Sequence, residues 1–324
     1  MHLDPPLQML FGAMRDAPQE DPPAPDDYDE IRRRADTTML LIRPAFSDDV
    51  ETAEHEIAVD AGTIRVRTYR PRSLATPMPT LFFIHGGGWF QGNLDTAEVE
   101  MGLHPDAVPC FVVSVEYRLA PEHKFPIPLD DCTAAYRWMI DHAEELGVDI
   151  DRLAIGGTSA GGNLAAALCL RIRDEQMPMP LLQLLDVPAL DLTMGSASVT
   201  EVGDEAGLTG EALAGYVEHY LADPADAVNP LASPLLADDL SGLPPAVVVV
   251  AEHDPVRDDG ERYLVRLHEA GVAAASFRVL AQFHGGWIVP VTITSRLVAD
   301  LRVAALQRAF AGTLDPLAAS AFGA

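Results

Sequence analysis

The sequence predicts an α/β fold, with a mostly parallel sheet covered by helices on both faces. Three observations predict it. Short unbroken apolar runs alternate with longer helical stretches from about residue 80 onward, the pattern of parallel strands joined by helices. An alternating hairpin precedes them. Hydrophobic residues make up 48% of the 324-residue chain, enough for one large core, and α/β units of this length fold as single domains.

The elements follow in order. Residues 1–50 read as a separate N-terminal segment. Met9, Leu10, Phe11 and Met14 are spaced for a short amphipathic helix, Asp21–Asp29 is a Pro- and Asp-rich loop, and Ile31–Ile42 forms a second helix. The apolar residues of this segment need a partner surface, so it is expected to lie on the main domain, residues 51–324. Glu54–Val59 and Ile64–Tyr69 flank Asp60-Ala61-Gly62 as a hairpin. Strands are expected at Thr80–Ile84, Phe111–Val115, Leu153–Ile155, Leu181–Leu185, Ala246–Ala251 and Ala275–Leu280. Helices are expected at Leu129–Leu146, Gly162–Arg173, Asp258–Ala270 and Ile288–Phe310. Asp191–Asn229 breaks this rhythm and reads as a helical insertion. The Ala-rich end, Ala318–Ala324, is expected to fray.

Composition excludes several functions. Forty-nine acidic residues against 22 basic ones give a formal net charge of −27, which disfavours nucleic acid and anionic membrane surfaces as partners. Lys124 is the single lysine. This lysine-poor, Ala-, Arg-, Pro- and Gly-rich composition fits a GC-rich genome better than salt adaptation. Cys110, Cys132 and Cys169 form no disulfide framework, which suits a reducing cytoplasm. Met1–Glu20 lacks the pattern of a secretory signal, and no stretch reaches the roughly 18 uninterrupted apolar residues of a membrane span.

The chemistry begins at Gly157-Thr158-Ser159-Ala160-Gly161, a G-x-S-x-G pattern between an apolar strand and an Ala/Leu-rich helix. A strand that turns sharply into a helix projects one hydroxyl above the sheet, and near-absent side chains two positions either side make the turn possible. A phosphate-binding turn is the alternative, but neither G-x-x-x-x-G-K-[ST] nor G-x-G-x-x-G occurs. Upstream, Thr80–Ile84 runs into His85-Gly86-Gly87-Gly88-Trp89. The bare N–H groups of Gly87 and Gly88, with that of Ala160, suit an oxyanion hole, whereas His85 reads as structural. Four histidines follow Ser159: His219, His253, His268 and His284. Only His284 lies in a loop after the last strand, where the base belongs in the order Ser, Asp or Glu, His. Asp254, on the loop after the preceding strand, is the expected acid, with Glu252 as runner-up. Asp258 and Asp259 belong to a helix start, where acidic residues cap. A histidine base works only when neutral, so activity is expected to fall below about pH 6.

Together these residues resemble the hormone-sensitive-lipase-like (bacterial family IV) carboxylesterases of the α/β-hydrolase superfamily. The resemblance rests on His85-Gly86-Gly87-Gly88-Trp89, Tyr117-Arg118-Leu119-Ala120-Pro121-Glu122, Gly157-Thr158-Ser159-Ala160-Gly161-Gly162-Asn163, Asp254-Pro255-Val256-Arg257-Asp258 and Phe283-His284-Gly285, in order. It implies an eight-stranded sheet and hydrolysis of short-to-medium acyl esters. It also implies a helical cap built from the N-terminal segment and the insertion at about 191–229, and no metal or organic cofactor. The partner implied is a small-molecule ester, with a homodimer through the last strand by analogy. Thr158 stands where the family commonly has an acid, which points to a threonine subgroup. An amidase, lactonase or peptidase using the same triad is the alternative, and a non-catalytic receptor on the same fold is disfavoured by the presence of both Ser159 and His284. Trp89, Phe90 and Trp287 are candidates for the substrate pocket, and Arg118 with Glu122 for a buried ion pair.

Overall fold

The computed structural model describes residues 2–16, 23–43, 48–101, 110–203 and 207–314. The Ala-rich end and the start of the Asp21–Asp29 loop lie outside them. In chain order, helices α1 (Pro5–Asp16) and α2 (Tyr28–Leu40) precede strands β1 (Val50–Val59) and β2 (Gly62–Pro71). Then come β3 (Met78–Ile84), α3 (Leu94–Met101), β4 (Phe111–Glu116), α4 (Ile127–Asp141), α5 (Ala143–Leu146) and β5 (Val148–Thr158). Next are α6 (Ala160–Asp174), β6 (Gln183–Asp186), α7 (Ser198–Glu201) and α8 (Gly210–Tyr220). β7 (Ala246–His253), α9 (Arg257–Glu269), β8 (Ala274–Phe283) and α10 (Ile293–Phe310) complete the chain.

The strands form one eight-stranded sheet in the order β1-β2-β4-β3-β5-β6-β7-β8. β1, β2 and β4 pair antiparallel, and every pairing from β4–β3 onward is parallel. All of β3 is buried, because alternate side chains serve two cores. Phe82 and Ile84 pack with Ile155, Leu164 and Leu168 on one face. Leu81 and Phe83 pack with Ala154, Leu184, Ala305 and Leu306 on the other. Cys110, Cys132 and Cys169 are buried in these cores and unbridged.

Several boundaries differ from the sequence expectation for local reasons. The stretch expected as one helix at Leu129–Leu146 is divided at His142, and Gly147, at φ 71°, ends α5. The last helix starts at Ile293 rather than Ile288. Pro290 disfavours a helical residue before it, and the Thr292 hydroxyl accepts the Ser295 N–H at 2.9 Å as a cap. β6 is shorter than Leu181–Leu185 predicts, and α3 was not expected at all. In α1, Leu7 is buried while Met9 and Leu10 face solvent. The insertion between β6 and β7 contains α7 and α8. Asp259 does not cap α9, which has no side-chain cap; its buried carboxyl instead accepts the Leu190 and Asp191 N–H groups at 2.9 and 3.1 Å, tying the insertion down.

The expected Arg118–Glu122 pair does not form. Arg118 instead grips Asp131, with Nη2 to Oδ1 at 2.7 Å and Nε to Oδ2 at 2.9 Å. Glu122 receives both Nη atoms of Arg32, at 2.8 and 2.6 Å. Arg32 also donates to the carbonyls of Phe90 at 2.7 Å and Ala120 at 2.9 Å. The six-residue stretch therefore anchors α2, a partner 90 residues away that spacing within the stretch could not reveal.

Behind the sheet ends lies a buried charge cluster. Arg302 of α10 has Nε 3.1 Å from Asp186 Oδ2 and donates from Nη2 to the Glu100 carbonyl at 3.2 Å. The Glu100 carboxylate accepts the Gly86 N–H at 2.6 Å. All three ionisable side chains are buried. Two acids facing one guanidinium would leave a net buried charge, which is costly. Burial accordingly raises the Glu100 carboxyl from its ordinary 4.5 to about 8, and Asp186 is raised as well.

Two outcomes follow. Arg32→Ala should loosen α2, so a protease should cut within residues 23–43 faster than in the parent; limited proteolysis read by mass spectrometry checks this, and equal rates would count against Arg32 as the anchor. The second concerns pH. Folded Glu100 keeps a proton that the unfolded chain releases between about pH 4.5 and about pH 8. Its ionisation therefore costs stability as pH rises through that window. Glu100→Gln escapes this loss, so its Tm relative to the parent should climb between pH 5 and pH 9, and a constant difference across that range would refute the assignment.

Candidate active site

The candidate residues converge at the C-terminal ends of β3, β5, β7 and β8, where open α/β sheets bind ligands. Ser159 sits between β5 and α6 at φ 56°, ψ −118°, a region that costs a non-glycine residue energy. Its surroundings impose it. A methyl group at Gly161 would come within 2.1 Å of the Ile84 carbonyl oxygen, and one at Gly157 within 2.3 Å of the Gly161 carbonyl oxygen. The Ser159 N–H donates to the Asp186 carbonyl at 2.8 Å, fixing the turn from the neighbouring strand.

His284 follows β8, and its Nε2 is 2.8 Å from Ser159 Oγ. Its Nδ1 is 2.8 Å from Asp254 Oδ2. Asp254, just past β7, is fully buried, and its other oxygen accepts the Val256 N–H at 3.0 Å. An Nδ1–H donating to Asp254 leaves Nε2 free to accept the serine hydroxyl proton. Glu252 is turned elsewhere: its Oε2 accepts the Ala281 N–H at 2.8 Å.

The glycine loop faces the same hydroxyl. Gly87 and Gly88 have φ of 101° and 59°, and a methyl at Gly88 would come within 2.7 Å of the Tyr216 ring. Among the described residues, neither the Gly87 nor the Gly88 N–H has a protein acceptor. Ala160 opens α6, so its N–H is one of the helix's unpaired first-turn donors. His85 supports the loop from below. It is fully buried, stacks on Tyr117 with centroids 4.3 Å apart, and burial pushes its imidazole down to about 4, so it stays neutral.

A cavity of about 360 Å³ opens over Ser159 and His284. It is lined by Ala35, Asp36 and Met39 of α2, by Leu208 and Tyr216, and by Thr96 and Glu100 of α3. The three aromatics expected to line it do not. Trp89 is fully buried and stacks on Tyr220 at 4.4 Å, Phe90 packs on Tyr216, and Trp287 is core. Each follows a glycine motif closely in sequence, but the turn that exposes glycine N–H groups points the next side chains into the protein. Glu100, Asp36 and Tyr216 were missed, for no local motif marks them.

A family model described as alpha/beta hydrolase fold matches residues 81–288. An arylesterase of Saccharolobus solfataricus is 40% identical over 259 residues, covering 79% of this chain and 83% of that protein. The carboxylic ester hydrolase LipN of Mycobacterium tuberculosis is 38% identical over 293 residues, covering 88% and 77%. Among solved structures, an arylesterase superposes with a TM-score of 0.84 at 35% identity, covering 96% of this chain and all of that one. The thermostable carboxylesterase EstE1 gives 0.82 at 37% identity, covering 88% and 98%. The chain belongs to the alpha/beta-hydrolase fold family, in its hormone-sensitive-lipase-like branch of carboxylic ester hydrolases.

Proposed function

We propose that the protein hydrolyses short-to-medium acyl esters as a serine carboxylesterase, with Ser159 as nucleophile, His284 as base and Asp254 as the acid that orients it. The observation that carries this reading is the unbroken hydrogen-bonded chain from Ser159 Oγ through His284 to Asp254, at 2.8 Å for each step, opening into a cavity. Ser159 Oγ attacks the ester carbonyl while His284 Nε2 takes its proton. Asp254 holds the imidazole in the tautomer that can accept and stabilises the resulting cation. The oxyanion is bound by the N–H groups of Gly87, Gly88 and Ala160, each donor worth about 10²–10³ in rate. The alcohol leaves with the proton from His284. A water deprotonated by His284 then opens the acyl-enzyme and releases the carboxylic acid.

The N-terminal segment and the 191–229 insertion act as the cap, a reading supported by the cavity walls from α2 and α8. Three buried, unbridged cysteines suit the cytoplasm. A homodimer through β8 fits as well, because β8 ends the sheet and its own Phe277 and Leu280 are exposed, as are Ile293 and Leu297 of α10. An exposed edge strand invites pairing.

With a p-nitrophenyl ester series, Ser159→Ala should abolish turnover, and full retained activity would sink the assignment. Asp254→Asn should lower kcat by about 10⁴-fold, whereas Glu252→Gln should cost far less; the reverse order would make Glu252 the acid. Sedimentation velocity should find a dimer that Leu280→Arg converts to monomer, and a monomeric parent would overturn the β8 interface.

A further inference from the structure

Glu100 is buried beside the proposed nucleophile, yet the mechanism above does not use it. Its side chain lines the cavity and is 4% exposed. Oε2 accepts the Gly86 N–H at 2.6 Å, whereas Oε1 has no hydrogen-bond partner among the described residues. A methyl at Gly86 would lie 3.3 Å from Oε2 and 3.4 Å from Ser159 Cβ, so the carboxyl and the nucleophile share one small patch of backbone. The nearby guanidinium does not neutralise it. Arg302 turns its Nε to Asp186 and offers Glu100 only a contact to the main-chain carbonyl. Burial outweighs both the Gly86 hydrogen bond and the Arg302 charge, and so favours the protonated form. A neutral carboxyl whose carbonyl oxygen accepts Gly86 N–H has its hydroxyl left to donate.

We propose that Glu100 is a specificity-determining residue, whose Oε1 hydroxyl donates a hydrogen bond to an acceptor oxygen carried in the acyl part of the substrate. This rests on the esterase reading of Ser159. The acyl side follows from the same geometry. The departing alcohol must lie against His284, which returns its proton, while Glu100 holds the Gly86 N–H on the oxyanion-loop side. Plain alkyl chains there would leave a buried donor unpaired, which costs more than the bond itself contributes. The substrate class is therefore esters of alkoxy- or hydroxy-substituted short acids, preferred over alkanoates of equal length.

The test compares p-nitrophenyl 3-methoxypropanoate with p-nitrophenyl pentanoate, which differ by one oxygen in place of a methylene. Each kcat/KM is divided by the rate of hydroxide hydrolysis of the same ester, which removes intrinsic reactivity. The parent enzyme should favour the methoxy ester by about 5- to 10-fold, the worth of one neutral hydrogen bond. Glu100→Gln keeps both a carbonyl for Gly86 and an N–H donor, so it should retain the preference. Glu100→Leu should reverse it in favour of pentanoate. A parent ratio near one overturns the proposal whether or not the leucine variant folds, and so does a folded Glu100→Leu with the parent's ratio. The underlying reading fails differently, by no Ser159-dependent turnover of either ester.

Discussion

The site depends on a backbone that cannot relax at Ser159. A side chain at φ 56° is held there because helix α6 begins in direct contact with the end of β3, so close that a methyl at Gly161 would strike the carbonyls of both Ile84 and His85. The contact works in both directions. A methyl at Gly86 would come within 2.7 Å of the Thr158 carbonyl. The two glycine motifs, some 70 residues apart in the chain, are one packing unit. The elbow is sharp because the loop is bare, and the loop is held open because the elbow fills the space beneath it. Strain of this kind persists only when its surroundings over-determine it.

Those surroundings are largely buried polar groups that hold main-chain atoms. The Tyr117 hydroxyl lies 3.1 Å from the His85 carbonyl and 3.3 Å from that of Gly86. His85 stacks on the same ring, neutral in its dry site. Glu100 takes the Gly86 N–H, and the Asp186 carbonyl takes that of Ser159. Each bond is modest in net energy, but each satisfies a buried group whose orphaning would be expensive. The catalytic-scale precision proposed for the site rests on this second layer, in which α3 and α10 reach beneath the sheet ends.

Above the site the constraint is of another kind. α2 has no fully buried residue of its own, so it is held by charge and hydrogen bonds: Arg32 to Glu122 and two carbonyls, Asp36 to Asn93 at 2.8 Å, and, just past its end, Arg43 to Glu98 at 2.6 Å. α8 is held instead by aromatic contacts, Tyr220 stacked on Trp89 and Tyr216 tilted against Phe90. Side chains that sequence alone suggested for the pocket thus serve as the foundation of its wall.

The sequence by itself determined the alternation of strand and helix, the elbow, the glycine loop, and the order of Ser159, Asp254 and His284. Each of these is written in short-range patterns: apolar runs fix the buried strands, and glycines fix turns no larger residue can make. Helix boundaries near His142 and Pro290 were blurred, because caps and single breaks compete within a few residues. The partners of Arg118 and Glu122, the burial of Trp89 and Trp287, and the position of Glu100 beside Ser159 were decided only by the tertiary structure. They depend on which surfaces meet across tens of residues, and a charged or aromatic side chain carries no local mark of the neighbour it will find.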